Sequence, residues 1–350
     1  MIKFIIRGGK IMNWYLQSGR DSDVVLSSRV RLARNIKGIP FTTRCTEKDF
    51  KKIFELMKDA SYALGYGLKF VPLNDLDKIE RDSLVEKHII SPEFAKTRNK
   101  YAAILINDEE NICITVNEED HISLQVFASG LELSNLMNLA IEIDQKLEGL
   151  VPYSYHKKYG YLTACPTNVG TGLKASVLLH LKALDMTNNI RKVLNIVSNL
   201  GVNIRGLYGE GSNIEGDMYQ ISNNQTLGIT EKDIIKNVEL ITKKIIDKER
   251  VARKFLANKN LDLEDRVYRD FGILTNARKI SKDEISDLLS SVKLGCDLGI
   301  IKELNDKKVA ELMLYTKSAN LQKRVGKNLS LYEEQIERAN TVKQIINEGD

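Results

Sequence analysis

Three apolar runs, Ala102–Ile106, Ile112–Val116 and Leu124–Ala128, follow one another with no helical pattern between them. Strands in such succession pair most simply as antiparallel neighbours, because a parallel neighbour needs a long crossover. Residues 21–36 alternate apolar and polar like a further strand, and Tyr161–Ala164, Ala175–Leu181, Val202–Gly206 and Met218–Ser222 read the same way. Helical spacing covers 47–64, with Phe50, Ile53, Phe54, Met57, Ala60 and Leu64 on one face, then Leu131–Leu147, 183–199 and 231–257. This pattern predicts an α/β (α+β) fold with a mainly antiparallel or mixed sheet flanked by helices. Strand signals end near residue 258, and Ser281-Lys-Asp-Glu284 and Ser330-Leu-Tyr-Glu333 read as helix capping boxes. A mixed domain over 12–257 and a helical C-terminal domain over 258–350 are therefore expected.

Composition removes several classes of function. The net charge of +5 is mild, acidic residues are interspersed, and no Lys/Arg block interleaves with aromatics, so no nucleic-acid footprint is expected. The run Met1–Arg7 is too short for a signal peptide, and no stretch approaches the ~20 apolar residues of a membrane span. Met12 is as natural a start as Met1. Cys45, Cys113, Cys165 and Cys296 form no Cys-x-x-Cys pair, which argues against structural zinc and for a reducing, cytoplasmic setting.

Chemistry concentrates in four places. The turn-rich loop Cys165–Ser176 sets a thiol near Pro166, Gly170, Gly172, Lys174 and Ser176, and reads either as a place where an anion meets a reactive group or as a plain turn with a buried thiol. Arg29 and Arg31, beside Ser27 and Ser28, share one face of a strand. Arg205 opens a glycine-dense loop. A guanidinium matches phosphate oxygens and is costly to bury without an anion, although a solvated sheet face with ordinary salt bridges is the simpler account of any one arginine. The run Asn117-Glu-Glu-Asp-His121 caps an apolar segment with carboxylates suited to a cation or to water around Mg2+, or to a plain turn. Glu210 lies between two glycines. No Gly-x-x-x-x-Gly-Lys-Ser/Thr loop is present, and Asp270-Phe271-Gly272 lacks the sequence context of a protein-kinase metal motif and falls in a predicted helix.

Taken in order, Ser27-Ser-Arg-Val-Arg31, Asn117-Glu-Glu-Asp-His121, Cys165-Pro-Thr-Asn-Val-Gly-Thr-Gly172 and Arg205-Gly-Leu-Tyr-Gly-Glu210 resemble the motifs of phosphagen (guanidino) kinases. Val85-Glu-Lys-His-Ile-Ile-Ser-Pro92, Gly160-Tyr-Leu-Thr163, Glu264-Asp-Arg-Val-Tyr268 and Leu294-Gly-Cys-Asp-Leu-Gly-Ile300 resemble the bacterial protein-arginine kinase branch, McsB. The resemblance spans about residues 12–345 and lacks the small N-terminal helical domain of kinases for free guanidines. It implies transfer of the γ-phosphoryl of ATP, with Mg2+, to arginine side chains of proteins. Glu119 and Glu210 would grip the guanidinium, Glu119 would take its proton, and Cys165, as a thiolate, would orient it. Arg29, Arg31 and Arg205 would hold phosphate, and Ser27, Ser28, Val30, Gly206, Leu207, Tyr208 and Gly209 would belong to the same nucleotide-binding set. Lys174, Ala175, Ser176, Val177 and Leu178 would lie along the nucleotide, and His88 near the adenine. No protein group would ligate the metal directly, with Glu118 and Asp120 as outer-shell partners. The C-terminal domain resembles one that serves dimerisation and phosphoarginine binding; only the dimer contact is carried over to this chain, because the stretch Glu334–Ala339 departs from the phosphoarginine-binding pattern. The implied setting is a cytoplasmic stress response that marks proteins for degradation and relieves heat-shock repression, with the activator McsA, the repressor CtsR and the unfoldase ClpC as partners.

Three departures from the family pattern stand out. Ser123 and Lys174 occupy positions where arginine is usual. Glu334-Gln-Ile-Glu-Arg-Ala339 puts acidic residues where the branch carries phosphoarginine-binding cations. An attenuated or non-catalytic adaptor that binds the repressor or the unfoldase therefore stands as a second reading, and a kinase for free guanidines as a third.

Overall fold

The computed structural model describes residues 13–198, 200–206, 215–257 and 260–348. Its strands are β1 (Val25–Arg34), β2 (Lys69–Pro72), β3 (Ala103–Ile106), β4 (Ile112–Val116), β5 (Ile122–Ser129), β6 (Tyr155–His156), β7 (Gly160–Tyr161), β8 (Leu173–His180), β9 (Val202–Gly206) and β10 (Met218–Asn223). Eight form one sheet in the order β2-β3-β4-β5-β1-β8-β10-β9, and β6 pairs with β7 in a small hairpin. Every named strand pairing is antiparallel. The three successive runs become the meander β3-β4-β5, and the alternating segment becomes β1 at the middle of the sheet.

The helices are α1 (Glu47–Leu64), α2 (Lys78–Glu86), α3 (Pro92–Ala95), α4 (Leu133–Leu150), α5 (Lys182–Met186), α6 (Ile190–Ser198), α7 (Glu231–Ala257), α8 (Asn260–Asn276), α9 (Lys282–Asp297), α10 (Asp306–Tyr315), α11 (Ser318–Val325) and α12 (Leu331–Asn347). Both expected capping boxes are formed, by Ser281 with Glu284 and by Ser330 with Glu333. Two readings need correction. The strand expected over Tyr161–Ala164 stops after Tyr161, because the Ala164 N–H is taken by a side chain, Asp120 Oδ1, at 2.6 Å. The helix expected over 183–199 breaks between α5 and α6, where Asn188 turns at φ +56° and the Thr187 hydroxyl donates back to the Ala183 carbonyl.

Strand alternation gives the central sheet two unlike faces. Val30, Leu32, Leu124, Val126, Ala175, Val177 and Ile221 face one way and pack with Leu136, Ala140 and Ile143 of α4 and Val238, Ile241 and Ile245 of α7. The other face carries Arg29, Arg31, Lys174 and Ser176 and is open. At its β3 side a smaller apolar cluster, with Trp14, Leu73, Ile89, Phe94, Ile104 and Phe127, closes the face. The helices after residue 260 have their own core, including Leu263, Val267, Leu289, Val292, Leu312, Ala339 and Val342. Within it Arg338 is fully buried and donates to the Thr316 and Ile280 carbonyls, with Glu334 as its counter-ion. Among the described residues no helix is long and apolar enough to cross a membrane.

Burial pushes the pKa of three histidines down. His121 accepts the Ile36 N–H at Nδ1 (3.0 Å), its Nε2 lies 2.7 Å from the Pro40 carbonyl, and burial pushes its pKa down. His180, wholly buried, sits 2.9 Å from Ser290 Oγ where the sheet meets α9, and its pKa is pushed well below the usual range by burial and by the cations of Lys293, Arg253 and Lys182. His88 is likewise pushed well below by burial and then by Lys317 and Arg29. As pH falls below ~6.5 the unfolded chain takes up protons at these positions more readily than the folded chain, so stability is present at neutral pH and is lost as pH falls. Each such group costs up to ~1.4 kcal/mol per pH unit below ~6.5. The midpoint of thermal unfolding is expected to drop between pH 7 and pH 5.5, and a flat profile across that window would contradict this assignment.

Candidate active site

The open face of the sheet forms a cavity of about 270 Å3 whose lining includes Arg29, Arg31, Lys174, Ser176, Gln125 and Ser222. Register explains the gathering. Arg29 pairs with Ser176 and Arg31 with Lys174 across β1 and β8, while Arg29 faces Phe127 and Arg31 faces Gln125 across β5. Directly opposed residues share a face, so each pairing repeats the side-chain direction set by Arg29. Ser222 continues the row opposite Ser176, and Arg205 takes the register position opposite Gln220, which also lines the cavity.

Polar groups in this cavity are under-used. Arg31 Nε and Ser176 Oγ are buried and have no hydrogen-bond partner among the described residues. Buried polar atoms left so carry a free-energy cost that an arriving acceptor or donor would remove. Lys174 Nζ donates to the Asn223 carbonyl at 2.8 Å, so its ammonium is fixed at the cavity wall. Glu118 lines the same space and is braced by the hydroxyls of Ser91 (2.7 Å) and Thr115 (2.6 Å). The other end is apolar and aromatic. Trp14 stacks on Phe127 with ring centroids 5.5 Å apart, and His88 and Leu178 stand beside them. A cation-rich end and an aromatic end in one cavity suit a molecule with a phosphate tail and a flat base.

Alternation also corrects part of the expected set. Ser28, Val30, Ala175 and Val177 were expected at the nucleotide but face the opposite side of the sheet. Val30, Ala175 and Val177 are core residues, and the Ser28 hydroxyl donates to the Gly130 carbonyl (2.6 Å) and accepts the Glu132 N–H. Ser27, Arg29, Arg31, His88, Lys174, Ser176 and Leu178 do line the cavity. Gly206 ends β9. Leu207, Tyr208, Gly209 and Glu210 lie outside the described residues, as does the side chain of Arg205.

Beyond the cavity, the Asn117–His121 and Cys165 segments are joined through Asp120. Its buried carboxylate accepts from Asn35 Nδ2 and from the Ala164 N–H, both at 2.6 Å. Burial raises its pKa, and those two hydrogen bonds oppose the rise. Asp120 is thus a brace inside the protein and not, as expected, a group facing a metal's water shell. Its sequence neighbour Glu119 is exposed, with its carbonyl held by the Thr42 hydroxyl. On the other side of the brace Cys165 is partly exposed, its Sγ 3.0 Å from Thr167 Oγ1. An exposed carboxylate and an accessible thiol are each one residue away from one hydrogen bond.

The glycines of the loop have packing reasons. Gly170 (φ +114°) exchanges backbone hydrogen bonds with Tyr161, and a Cβ there would lie 2.2 Å from the Thr226 carbonyl oxygen. Gly172 (φ +64°) would set a Cβ 2.6 Å from both the Ala33 carbonyl oxygen and Arg34 Nη1. Arg34 itself is 2 % exposed, is paired with Asp144, and donates to the Thr171 carbonyl. Sequence reading passed over Arg34, although its parity relative to Arg29 and Arg31 marks it as pointing into the core. Ser123 is buried opposite Ala33 and Thr115, and its hydroxyl has no partner among the described residues.

Comparison with known proteins places both parts of the chain. Residues 47–252 match the family model described as ATP:guanido phosphotransferase, C-terminal catalytic domain, and residues 260–349 match the protein-arginine kinase McsB C-terminal domain. The chain is 45% identical over 339 residues to a protein-arginine kinase of Halothermothrix orenii, covering 96% of this chain and 97% of the relative. It is 46% identical over 336 residues to the protein-arginine kinase of Caldanaerobacter subterraneus subsp. tengcongensis, covering 94% and 99%. Among solved structures, lombricine kinase aligns with a TM-score of 0.58 at 25% identity over 70% of this chain and 71% of that chain. The duplicated taurocyamine kinase from Schistosoma mansoni with bound transition-state analogue components shares the fold, with a TM-score of 0.61 at 23% identity over 75% of this chain and 40% of that chain.

Proposed function

The chain belongs to the protein-arginine kinase family, and on that premise we propose that it transfers the γ-phosphoryl group of ATP to arginine side chains of proteins. The observation that carries the site assignment is the single row of Arg29, Arg31, Lys174 and Ser176 on the open sheet face, where the buried Arg31 Nε and Ser176 Oγ have no hydrogen-bond partner among the described residues. These groups fit a polyphosphate. His88, whose pKa burial pushes well below the usual range, and the Trp14–Phe127 stack fit a purine.

In the proposed reaction a guanidinium nitrogen forms a bond to the γ-phosphorus as the bond from that phosphorus to the bridging oxygen of ADP breaks. A guanidinium with pKa above ~12 is a poor nucleophile until a proton leaves, and Glu119 receives that proton. Glu119 and Glu210 together grip the guanidinium, and Cys165 orients it. Arg29, Arg31, Arg205 and Lys174 hold the phosphates in line and offset charge in a loose transition state, where positioning and electrostatics supply most of the acceleration. Glu118 would be an outer-shell partner of Mg2+, which would supply further charge neutralisation on the nucleotide. Partners on this reading are McsA, CtsR, ClpC and a second copy of the chain in a homodimer, in a cytoplasmic stress response that marks proteins for degradation. Residue 258 is taken as the boundary between the catalytic and C-terminal domains.

The test offers γ-labelled ATP with either a folded protein or free arginine. Acid-labile label on protein supports the proposal; label on free arginine alone selects a small-guanidine kinase.

An attenuated enzyme is favoured by two observations. Lys174 supplies one ammonium, committed to Asn223, where arginine would supply a fork, and Ser123 supplies no charge. A hydrogen bond to a charged group contributes about 1.5–3 kcal/mol, so Ser123→Arg is expected to raise the transfer rate roughly tenfold. An unchanged or lower rate would show that the site already compensates. On the C-terminal side, Glu334 is held by Ser318, Gln322 and Arg338, so this stretch is engaged in internal structure.

A further inference from the structure

Helix α2 ends in a turn that glycine normally makes. Lys87 is its C-cap, His88 follows at φ +60°, the His88 N–H donates to the Val85 carbonyl (2.9 Å), and the Ile89 N–H donates to the Leu84 carbonyl (3.0 Å). These are the two bonds of a Schellman closure, whose left-handed residue is usually glycine. A histidine there bears conformational strain, and strain of this kind persists where surrounding contacts over-determine it and often marks a functional position. His88 lines the candidate nucleotide cavity and also the adjoining cavity of about 210 Å3 between the sheet and the C-terminal helices.

The contacts that fix this turn come from the C-terminal helical unit. Lys317, the N-cap residue of α11, sends Nζ to the Glu86 carbonyl at the end of α2 (3.1 Å). In return the Glu86 carboxylate accepts the Ala319 and Asn320 N–H groups at the start of α11, both at 2.9 Å, and Asn320 Nδ2 at 2.8 Å. The Ser83 hydroxyl donates to Asn320 Oδ1 at 2.7 Å. Each helix end is thus capped by a charge of the right sign from the other: a cation on the carbonyl end of α2, an anion on the amide end of α11. Lys317 is also among the cations that help to keep His88 neutral.

We propose that Glu86, Lys317 and Asn320 are positioning residues for the nucleotide, and that this reciprocal cap couples ATP binding to docking of the C-terminal helical unit by holding His88 at the cavity wall. The proposal rests on the nucleotide reading of that cavity. Coupling of this kind is reciprocal, so ATP tightens the α2–α11 junction as much as the junction tightens ATP binding.

The experiment measures Kd for a fluorescent ATP analogue, and KM and kcat for ATP, in the full chain carrying Lys317→Ala, Asn320→Ala, Lys317→Arg or His88→Gly, each checked for fold by circular dichroism. Lys317→Ala and Asn320→Ala are expected to weaken binding roughly fivefold or more, with KM raised by more than kcat is lowered, and Lys317→Arg to recover part of the loss. His88→Gly suits the left-handed turn, so it is expected to stay folded and to lose affinity. In the unaltered chain, ATP is expected to slow amide exchange over 318–325 as well as over 84–90. Unchanged affinity in folded Lys317→Ala and Asn320→Ala, or exchange over 318–325 that ATP leaves unaltered, overturns the coupling alone. Failure of the unaltered chain to bind ATP overturns the nucleotide reading, and this proposal with it.

Discussion

Glu119→Gln is expected to abolish phosphoryl transfer while leaving ATP binding largely intact. The carboxylate is exposed on the turn between β4 and β5, and it is Glu118, not Glu119, that lines the cation-rich cavity. The substitution keeps size and hydrogen-bonding reach but removes the proposed proton acceptor. General-base loss of this kind costs about 10²–10⁴-fold in rate. The turn itself does not depend on the carboxylate, because Asn117 Nδ2 donates to the Phe50 and Tyr101 carbonyls and Asp120 braces the far side. Single-turnover transfer and fluorescent-nucleotide titration on the same preparation separate the two effects. Transfer within a factor of a few of the parent rate would remove Glu119 from the proton-accepting role.

Arg34→Ala is expected to cause the largest loss of stability. The guanidinium is buried, pairs with both oxygens of Asp144 at 2.7–3.2 Å, donates to the Ala33 and Thr171 carbonyls, and lies 3.6 Å from the centroid of the Tyr161 ring. Removing one partner leaves Asp144 charged and uncompensated in the interior, which typically costs about 3–5 kcal/mol. The same change releases the carbonyl of Thr171 between Gly170 and Gly172, so the Cys165 loop loosens along with the core. Urea unfolding followed by circular dichroism measures the first effect. A loss below ~1 kcal/mol would mean that water reaches Asp144 and that the pair is not a structural anchor.

The fold was legible where the pattern is local. The β3-β4-β5 meander, α1 and α7 follow from apolar spacing, and the capping boxes at Ser281 and Ser330 follow from hydrogen-bonding chemistry within a single turn. Errors arose where a side chain overrides the backbone pattern: Asp120 takes the Ala164 amide that a strand would have used, and Thr187 with Asn188 divides a helix whose apolar spacing runs on. The site shows the same division. Arg29 and Arg31 are legible from the two-residue spacing that puts them on one strand face, Lys174 and Ser176 from the chemistry of the adjoining loop, and all four meet by register. Motif matching does not see the two faces of a strand, so it swept Val30, Ala175 and Val177 into the nucleotide site although their parity sends them to the core. It also had no signal for Arg34–Asp144 or for Glu86 and Lys317, whose partners are 110 and 231 residues distant in sequence.

The glycines of the Cys165 loop acquire a different meaning from the structure. Their freedom serves close backbone approach, Gly170 to Thr226 and Gly172 to Ala33 and Arg34. On the proposed mechanism, recognition of the acceptor falls to the side chains around Asp120, where an exposed Glu119 and a partly exposed Cys165 stand on either side of one buried hydrogen bond.

The most direct test of this account is mass spectrometry of a folded protein incubated with the chain and Mg·ATP, handled at neutral pH because the P–N bond is labile in acid. The account predicts phosphoryl groups on arginine side chains with the unaltered chain and none with Glu119→Gln. Phosphate found only on serine, threonine or tyrosine, or no phosphoarginine even with the proposed activator McsA present, would contradict it.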